Sequence, residues 1–319
     1  MSSGVKRVLR AVDEFQQSHA PLAFVYGVVK KFGDDRGSQL AGLIAFYGFL
    51  SFFPLMLVVI TVTAFLAHGN AHLASQIQSS ALSQFPVVGK DLTSNDKALP
   101  GNGFGLAVGL VGLVWGALGV TQAVQYAFAE VWHVPYKDRA PYFVRIARGL
   151  GLFALLGLGV VVTALLASLG PILGDSFLAG AAGFVAGVVV SIGLYLVVFQ
   201  LHSPKQCTWR HLLPGAIVAG VGWQALELVG VQLVQHQLKN ASQLYGTVAF
   251  VLGLISFLAF VAQITLYGIE INSVRVQELW PRSLSAPPYT DADREMLRIL
   301  ARQEVRRAGE RIDVAFEDA

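Results

Sequence analysis

The sequence predicts an all-α polytopic membrane protein: a bundle of six transmembrane helices with both termini on the cytoplasmic side. Three observations predict it. Residues 40–67, LAGLIAFYGFLSFFPLMLVVITVTAFLA, hold no charged side chain, and about 20 apolar residues at ~1.5 Å each cross the ~30 Å hydrocarbon core of a bilayer. Hydrophobic residues make up 54% of the chain and charged residues 13%, with mean hydropathy +0.58, against about 25% charge in a soluble domain. The 23 Lys and Arg are also sorted: only Lys90, Lys97 and Lys239 fall on one side of the apolar segments and all others on the opposite side. Positive charge collects on the cytoplasmic side, and the sorting requires an even number of spans.

The chain is read in three parts. Residues 1–39 form a cytoplasmic or interfacial arm. Over residues 5–16, Val5, Val8, Leu9, Val12 and Phe15 recur at helical spacing, with Lys6, Arg7 and Arg10 mostly off that stripe. Such a helix either lies in the interface, its basic face toward anionic headgroups, or packs on the protein's own spans. Pro21 opens a second apolar segment too short to cross, and residues 1–39 lack the pattern of a cleavable signal. Asp34, Asp35 and Arg36 are a polar stop.

Residues 40–275 hold the spans, expected at 40–67, 103–129, 146–170, 177–200, 213–235 and 246–271. Pro54 within the first is tolerated where neighbouring helices satisfy the freed carbonyl. Polar connections at 68–102, 130–145, 171–176, 201–212 and 236–245 separate the spans. Residues 276–319 form a charged cytoplasmic tail, broken by Pro287 and Pro288 and helical from Thr290 to Ala308.

Polar residues inside the spans are costly in lipid, so they face the bundle, a wet cavity or each other. Tyr47, Ser51, Pro54 and Thr61 share a face of the first span; Gln122, Gln125 and Tyr126 one of the second; Gln224, Glu227 and Gln235 one of the fifth; Ser256, Gln263, Tyr267 and Glu270 one of the sixth. Converging, these stripes would line a hydrophilic path formed by Glu227, Gln224, Gln122, Gln125, Tyr47, Gln263, Tyr267 and Glu270. Glu227 reads as a proton-coupling or headgroup-binding group, or as a carboxyl used to join helices. Glu270, near Asn272 and Arg275, reads as a structural ion pair or hydrogen bond, and the glutamines as interhelical bonds. Spacings such as Gly105/Gly109, Gly112/Gly116, Gly183/Gly187 and Ala216/Gly220 serve close packing within the chain or a dimer face.

Enzyme signatures are absent: no phosphate-binding Walker loop, no HExxH, no GxSxG. His68 and His72 stand four apart, but Gly69-Asn70 between them reads as a turn and no third ligand is near. His19, His133, His202, His211 and His236 form no recognisable set. The single cysteine, Cys207, excludes a disulfide framework within one chain. No catalytic group, metal or cofactor is therefore expected, and no nucleic-acid partner.

Several segments together carry a resemblance. DDRGSQLAGLIAFYGFLSFFPLMLVV (Asp34–Val59) is similar to the opening signature of the YihY/BrkB membrane proteins, with its acidic residue, FY run, Leu-Ser and proline. QAVQYAFAEVWHVPYKDRAPYFVR, LPGAIVAGVGWQ (Leu213–Gln224) and QLYGTVAF followed by YGIEIN resemble further family segments. The sequence departs from the family twice. Ser256, Phe257, Leu258 and Ala259 stand where a tryptophan-rich middle is usual, and Ile269 replaces the alanine of the closing Gly-Ala-Glu. The resemblance implies a bacterial inner-membrane six-helix bundle; family labels include "ribonuclease BN" and "virulence factor BrkB". A nuclease needs acidic metal ligands or a histidine pair beside a basic groove, and positive-inside bias already explains the arginines. The expected function is movement of an amphiphilic or small anionic substrate, lipid included. The alternative is a non-catalytic scaffold for envelope machinery, with residues 291–311 as its docking surface. The expected partners are membrane lipids, a second copy or envelope proteins.

Overall fold

The computed structural model describes residues 3–67, 103–173, 177–238, 243–285 and 287–316. It is helical throughout: α1 (Ser3–Ser18), α2 (Ala20–Asp34), α3 (Gly37–Ala67), α4 (Gly103–Val131), a 3-10 turn (Tyr136–Asp138), α5 (Tyr142–Leu173), α6 (Phe177–His202), α7 (Trp209–Leu238), α8 (Gln243–Val276) and α9 (Asp291–Gln303). Five segments are long and apolar enough to cross a membrane: Leu110–Val131, Tyr142–Gly159, Gly180–His202, Trp209–Gly230 and Val251–Val276. Helix α3 has 31 residues, but its apolar stretch among the residues whose side chains are described is shorter, Gly37–Phe52. The connection 68–102, with His68 and His72, lies outside the described residues.

The helices form a closed ring. Helix α3 packs on α4, α4 on α5, α5 on α6, α6 on α7, α7 on α8 and α8 back on α3, while α2 lies against α8 and α3. Small residues set the crossings. Tyr47, Ser51 and Pro54 form a ridge on α3, and Gly119, Gly116 and Gly112 form the facing groove on α4. A Cβ on Gly116 would sit 2.8 Å from Ser51 Cα, and one on Gly112 would sit 3.1 Å from Pro54 Cγ. The order reverses along the second helix, so the pair is antiparallel. The stripe that sequence spacing offered for a wet path is here a packing ridge, and the Gly112/Gly116 spacing serves packing within the chain. On α7 and α8, a Cβ on Gly215 would overlap the Gly268 carbonyl oxygen. Asn272 closes that crossing: Gly215 N–H donates to its Oδ1 (2.9 Å), and its Nδ2 donates to Leu212 O (3.0 Å).

The apolar core among the described residues gathers at one end of the ring. Phe32, Phe128, Val131, Trp132, Phe199, Cys207, Leu212, Leu266 and Ile269 meet there. These residues come from α2, from the closing turns of α4, α6 and α8, and from the loop and first turn leading into α7.

The arm is two helices hinged at His19, which caps α2 ahead of Pro21. One face of α2 is buried through Ala23, Gly27, Val28, Lys31 and Phe32. The tail helix starts on a capping box. Thr290 Oγ1 accepts from Asp293 N–H while the Asp293 carboxylate accepts from Thr290 N–H. Periodicity suggests a helix to Ala308, but α9 ends at Gln303, where the chain turns to reach the α4–α5 connection: Lys137 N–H donates to Val305 O (3.3 Å).

Candidate functional site

The most concentrated chemistry lies in the core end of the ring, around Lys31. Its ammonium is fully buried and donates to Asp35 Oδ2 (2.6 Å), Val131 O (2.8 Å) and Glu270 Oε2 (2.8 Å). An ammonium has three donors, and all three are used. Val131 ends α4, so its carbonyl has no partner within the helix and carries the negative end of the helix dipole. A cation is the natural cap there, and Ser273 Oγ adds a second donor to the same carbonyl (3.1 Å).

Asp35 holds the next partner. Its Oδ1 accepts from His133 Nε2 (2.9 Å), which places a proton on Nε2. His133 has φ +49, in the left-handed region where glycine is the usual occupant. There it closes α4: Val134 N–H reaches Ala129 O and His133 N–H reaches Glu130 O, each at 2.9 Å. The strained position directs the imidazole at Asp35. Burial disfavours the charge on Asp35, but the Lys31 ammonium and the His133 bond hold its carboxyl below the usual range. Burial likewise opposes the charge on Lys31, and Glu270 and Asp35 overcome it, raising the ammonium above its ordinary value. One cation thus serves two carboxylates. Glu270 Oε1 and His133 Nδ1 have no hydrogen-bond partner among the described residues. Phe32 stacks on Tyr267 (4.1 Å, 11°) beside the cluster.

A second polar network joins the arm to the tail. Asp293 accepts from Arg282 Nε (2.5 Å), Lys30 Nζ (2.9 Å) and Ser283 N–H (2.9 Å). Arg282 also donates to Asp34 (2.7 Å). Asp13 on α1 accepts from Leu284 N–H and Ser283 Oγ, both at 3.1 Å. Burial works against the Asp293 charge, but the Arg282 and Lys30 bonds prevail and hold its carboxyl well below the usual range. Farther on, Gln303 donates to Glu130, which also pairs with Arg139 (2.9 Å).

The eight residues expected to line a path are not joined to one another by hydrogen bonds among the described residues. Gln125 Nε2 donates to Arg145 O (3.0 Å), joining α4 to α5. Gln224 Nε2 donates to Ser191 Oγ (3.2 Å), joining α7 to α6. Tyr47 packs against Gly119, and Tyr267 stacks on Phe32. Glu270 is an ion pair, but its partner is Lys31; Arg275 is exposed. Glu227, Gln122 and Gln263 are half-buried and make no hydrogen bond to another described residue. One groove of ≈ 380 Å³ opens between α6 and α7, lined by Phe184, Val188, Val189, Val221, Gln224 and Leu228 among others. Its wall is apolar except for Gln224, and Glu227 lies one turn beyond.

Lys31, Asp35 and His133 were missed by spacing arguments. Lys31 was counted with the sorted basic residues, Asp35 with the polar stop, and His133 among histidines forming no set; the Asp35 contact corrects that last reading. The pair Lys31/Asp35 at i, i+4 was the signal available, with its acidic member inside the signature segment.

A model of the family described as Virulence factor BrkB matches residues 28–291, which includes every member of the Lys31 cluster. The "Putative ribonuclease-like protein YfkH" of Bacillus subtilis is 22% identical over 273 residues, covering 79% of this chain and 95% of that protein. "Inner membrane protein YhjD" of Escherichia coli is 22% identical over 293 residues, 84% and 85% of the two chains. A "UPF0761 membrane protein" of Stenotrophomonas maltophilia is 26% identical over 270 residues, 76% of this chain and 58% of that one. No solved structure matches.

Proposed function

This chain belongs to the Virulence factor BrkB family of membrane proteins, and from that premise we propose that it moves an amphiphilic or small anionic substrate, lipid included, along its helix bundle. In this reading it is a multi-pass protein of the bacterial inner membrane, the compartment named for its Escherichia coli relative. It has six spans, α3 being the one beyond the five candidates, and both termini are cytoplasmic. It breaks no bond and uses no cofactor, metal or nucleic acid. Its partners are membrane lipids, with a second copy or envelope proteins beside them.

The observation that carries the reading is the α6–α7 groove. Its Gln224 lies about 22 Å along α7 from Trp209 at ~1.5 Å per residue, within the ~30 Å hydrocarbon core and in the half away from Trp209. Its apolar wall suits an acyl chain, and Gln224 and Glu227 supply polar atoms where lipid supplies none. Tyr47, Gln125, Gln224, Tyr267 and Glu270 are spent on helix contacts, whereas Glu227, like Gln122 and Gln263, has no hydrogen-bond partner among the described residues, and it lies one turn from the groove.

The test is translocation of fluorescent phospholipids in liposomes containing the purified protein, beside Glu227→Gln and Gln224→Leu. Acceleration over empty liposomes that drops in both variants supports the reading; no acceleration for any tested headgroup overturns lipid movement.

The scaffold alternative has one observation in its favour. Arg298, Arg302 and Arg306 leave their side chains 41%, 59% and 71% exposed on the tail, paired with the exposed carboxylates of Glu295 and Glu304, a charged surface that a partner could engage. Truncation at Pro287 does not separate the two readings, because it removes Asp293 and strands Arg282 and Lys30. Reversal of the three exposed arginines to glutamate does: the scaffold loses its partner in crosslinking, and the transporter keeps its rate.

A further inference from the structure

The arm helices are mounted with polar residues inward. On α1, Asp13 and Gln16 are 8% and 7% exposed and bonded to the tail, Gln16 Nε2 reaching Arg282 O at 2.7 Å. The apolar stripe faces outward: Val8 is 65% exposed, Val12 50% and Phe15 57%. Helix α2 does the same with Leu22, Val25 and Val29 while its other face packs inward. A water-facing amphipathic helix has the opposite arrangement, burying its large apolar side chains and turning its polar face to solvent.

We propose that α1 and α2 form a membrane-surface anchor whose outward stripe lies in a bilayer leaflet carrying anionic phospholipid. Two features identify a lipid surface as the occupant. The stripe stands at the foot of the bundle, because α2 leads through Asp35 and Arg36 directly into the apolar α3 and packs against it. Off the stripe on α1, Arg7 and Arg10 are exposed while Asp13 is buried in the tail network, so two guanidinium groups, Arg7 at the stripe's flank and Arg10 on the far side, stand against the single exposed carboxylate of Glu14. Arg7 lies about 100° around the helix from Val8, at the height where a headgroup phosphate sits when the stripe is immersed. The tail network holds the anchor in that orientation. The inference does not depend on what the bundle moves.

The buried Cys207 is the only native thiol, so single labels are simple to place. An environment-sensitive fluorophore goes on cysteine introduced at Val12, at Val25 or at Glu14, the last about 200° from Val12 around α1. The protein is reconstituted in phosphatidylcholine vesicles with or without phosphatidylglycerol. Quenchers attached to the acyl chains are expected to act several-fold more strongly on labels at 12 and 25 than at 14, and a water-soluble quencher to show the reverse order. Phosphatidylglycerol is expected to strengthen acyl-chain quenching at 12, and R7E/R10E to remove that increase. Equal quenching at all three sites overturns the anchor. Labels at 12 and 25 shielded from both quenchers, in a way that depends on protein concentration, assign the stripe to a second copy. Identical quenching with and without phosphatidylglycerol overturns the anionic requirement.

Discussion

Replacing Lys31 with methionine preserves the length and most of the volume of the side chain and removes one charge. Two carboxyl groups then remain with side chains at most 1% exposed, and the ammonium that paired with both is gone. Removing one partner of a buried ion pair costs about 3–5 kcal/mol, because the remaining charge has neither water nor a counter-charge. Here three charge-assisted hydrogen bonds also go, and the free carbonyl of Val131 keeps only Ser273. The other members follow a ranking by charge. Glu270→Gln leaves Lys31 and Asp35 balanced and an acceptor facing the ammonium, so it costs far less than Lys31→Met. Asp35→Asn is costlier than Glu270→Gln, since it also removes the acceptor of His133. Combining Lys31→Met with Asp35→Asn and Glu270→Gln recovers much of the loss, as no charge is left buried. Thermal unfolding of the detergent-purified protein reads all four. Lys31→Met within ~0.5 kcal/mol of wild type, or a triple variant no better than the single one, refutes the reasoning.

Gly215→Ala or Gly268→Ala separates α7 from α8 and breaks the Asn272 bonds, so each is expected to reduce folded yield sharply in size-exclusion chromatography, whereas alanine at Gly151, which meets nothing within 4 Å, is neutral. Asp293→Asn weakens the anchorage of the tail, and limited proteolysis is expected to cut residues 277–290 several-fold faster than in the wild type. The pH dependence of that cleavage follows from the same bonds. Asp293, Asp13 and Asp35 are held below the ordinary carboxylate value, so their contribution is full above about pH 4 and is lost as pH falls through the lowered values. Lys31, raised, contributes fully below the ordinary lysine value near 10.5 and loses its contribution as pH rises through its elevated one. Cleavage is therefore expected to stay flat from about pH 5 to 9; a rise near pH 6 contradicts this assignment.

Apolar length alone locates most of the helices, because a bilayer demands it and little else mimics it. The α1 stripe and the tail capping box are equally local signals: Val8, Val12 and Phe15 recur at helical spacing, and Thr290 stands three residues before Asp293. The site is less legible. A lysine at the foot of a span reads as a snorkelling charge whether it points to headgroups or, like Lys31, into the core. The Tyr47, Ser51 and Pro54 stripe has the period of a path lining and also of a ridge, and only the glycine groove on α4 decides between them. The ion pair of Glu270 is a local expectation, but Lys31 is 239 residues distant along the chain, out of reach of any spacing argument.

That separation has a temporal side. A ribosome adding about 5–20 residues per second takes roughly 12–48 s to travel from Lys31 to Glu270. Through that interval the nascent chain holds Lys31 and Asp35 at the base of α3, with α8 still unmade. The cluster closes only once α8 has been made, so it registers that synthesis has passed through α8. A product cut short before α8 leaves Lys31 and Asp35 without Glu270.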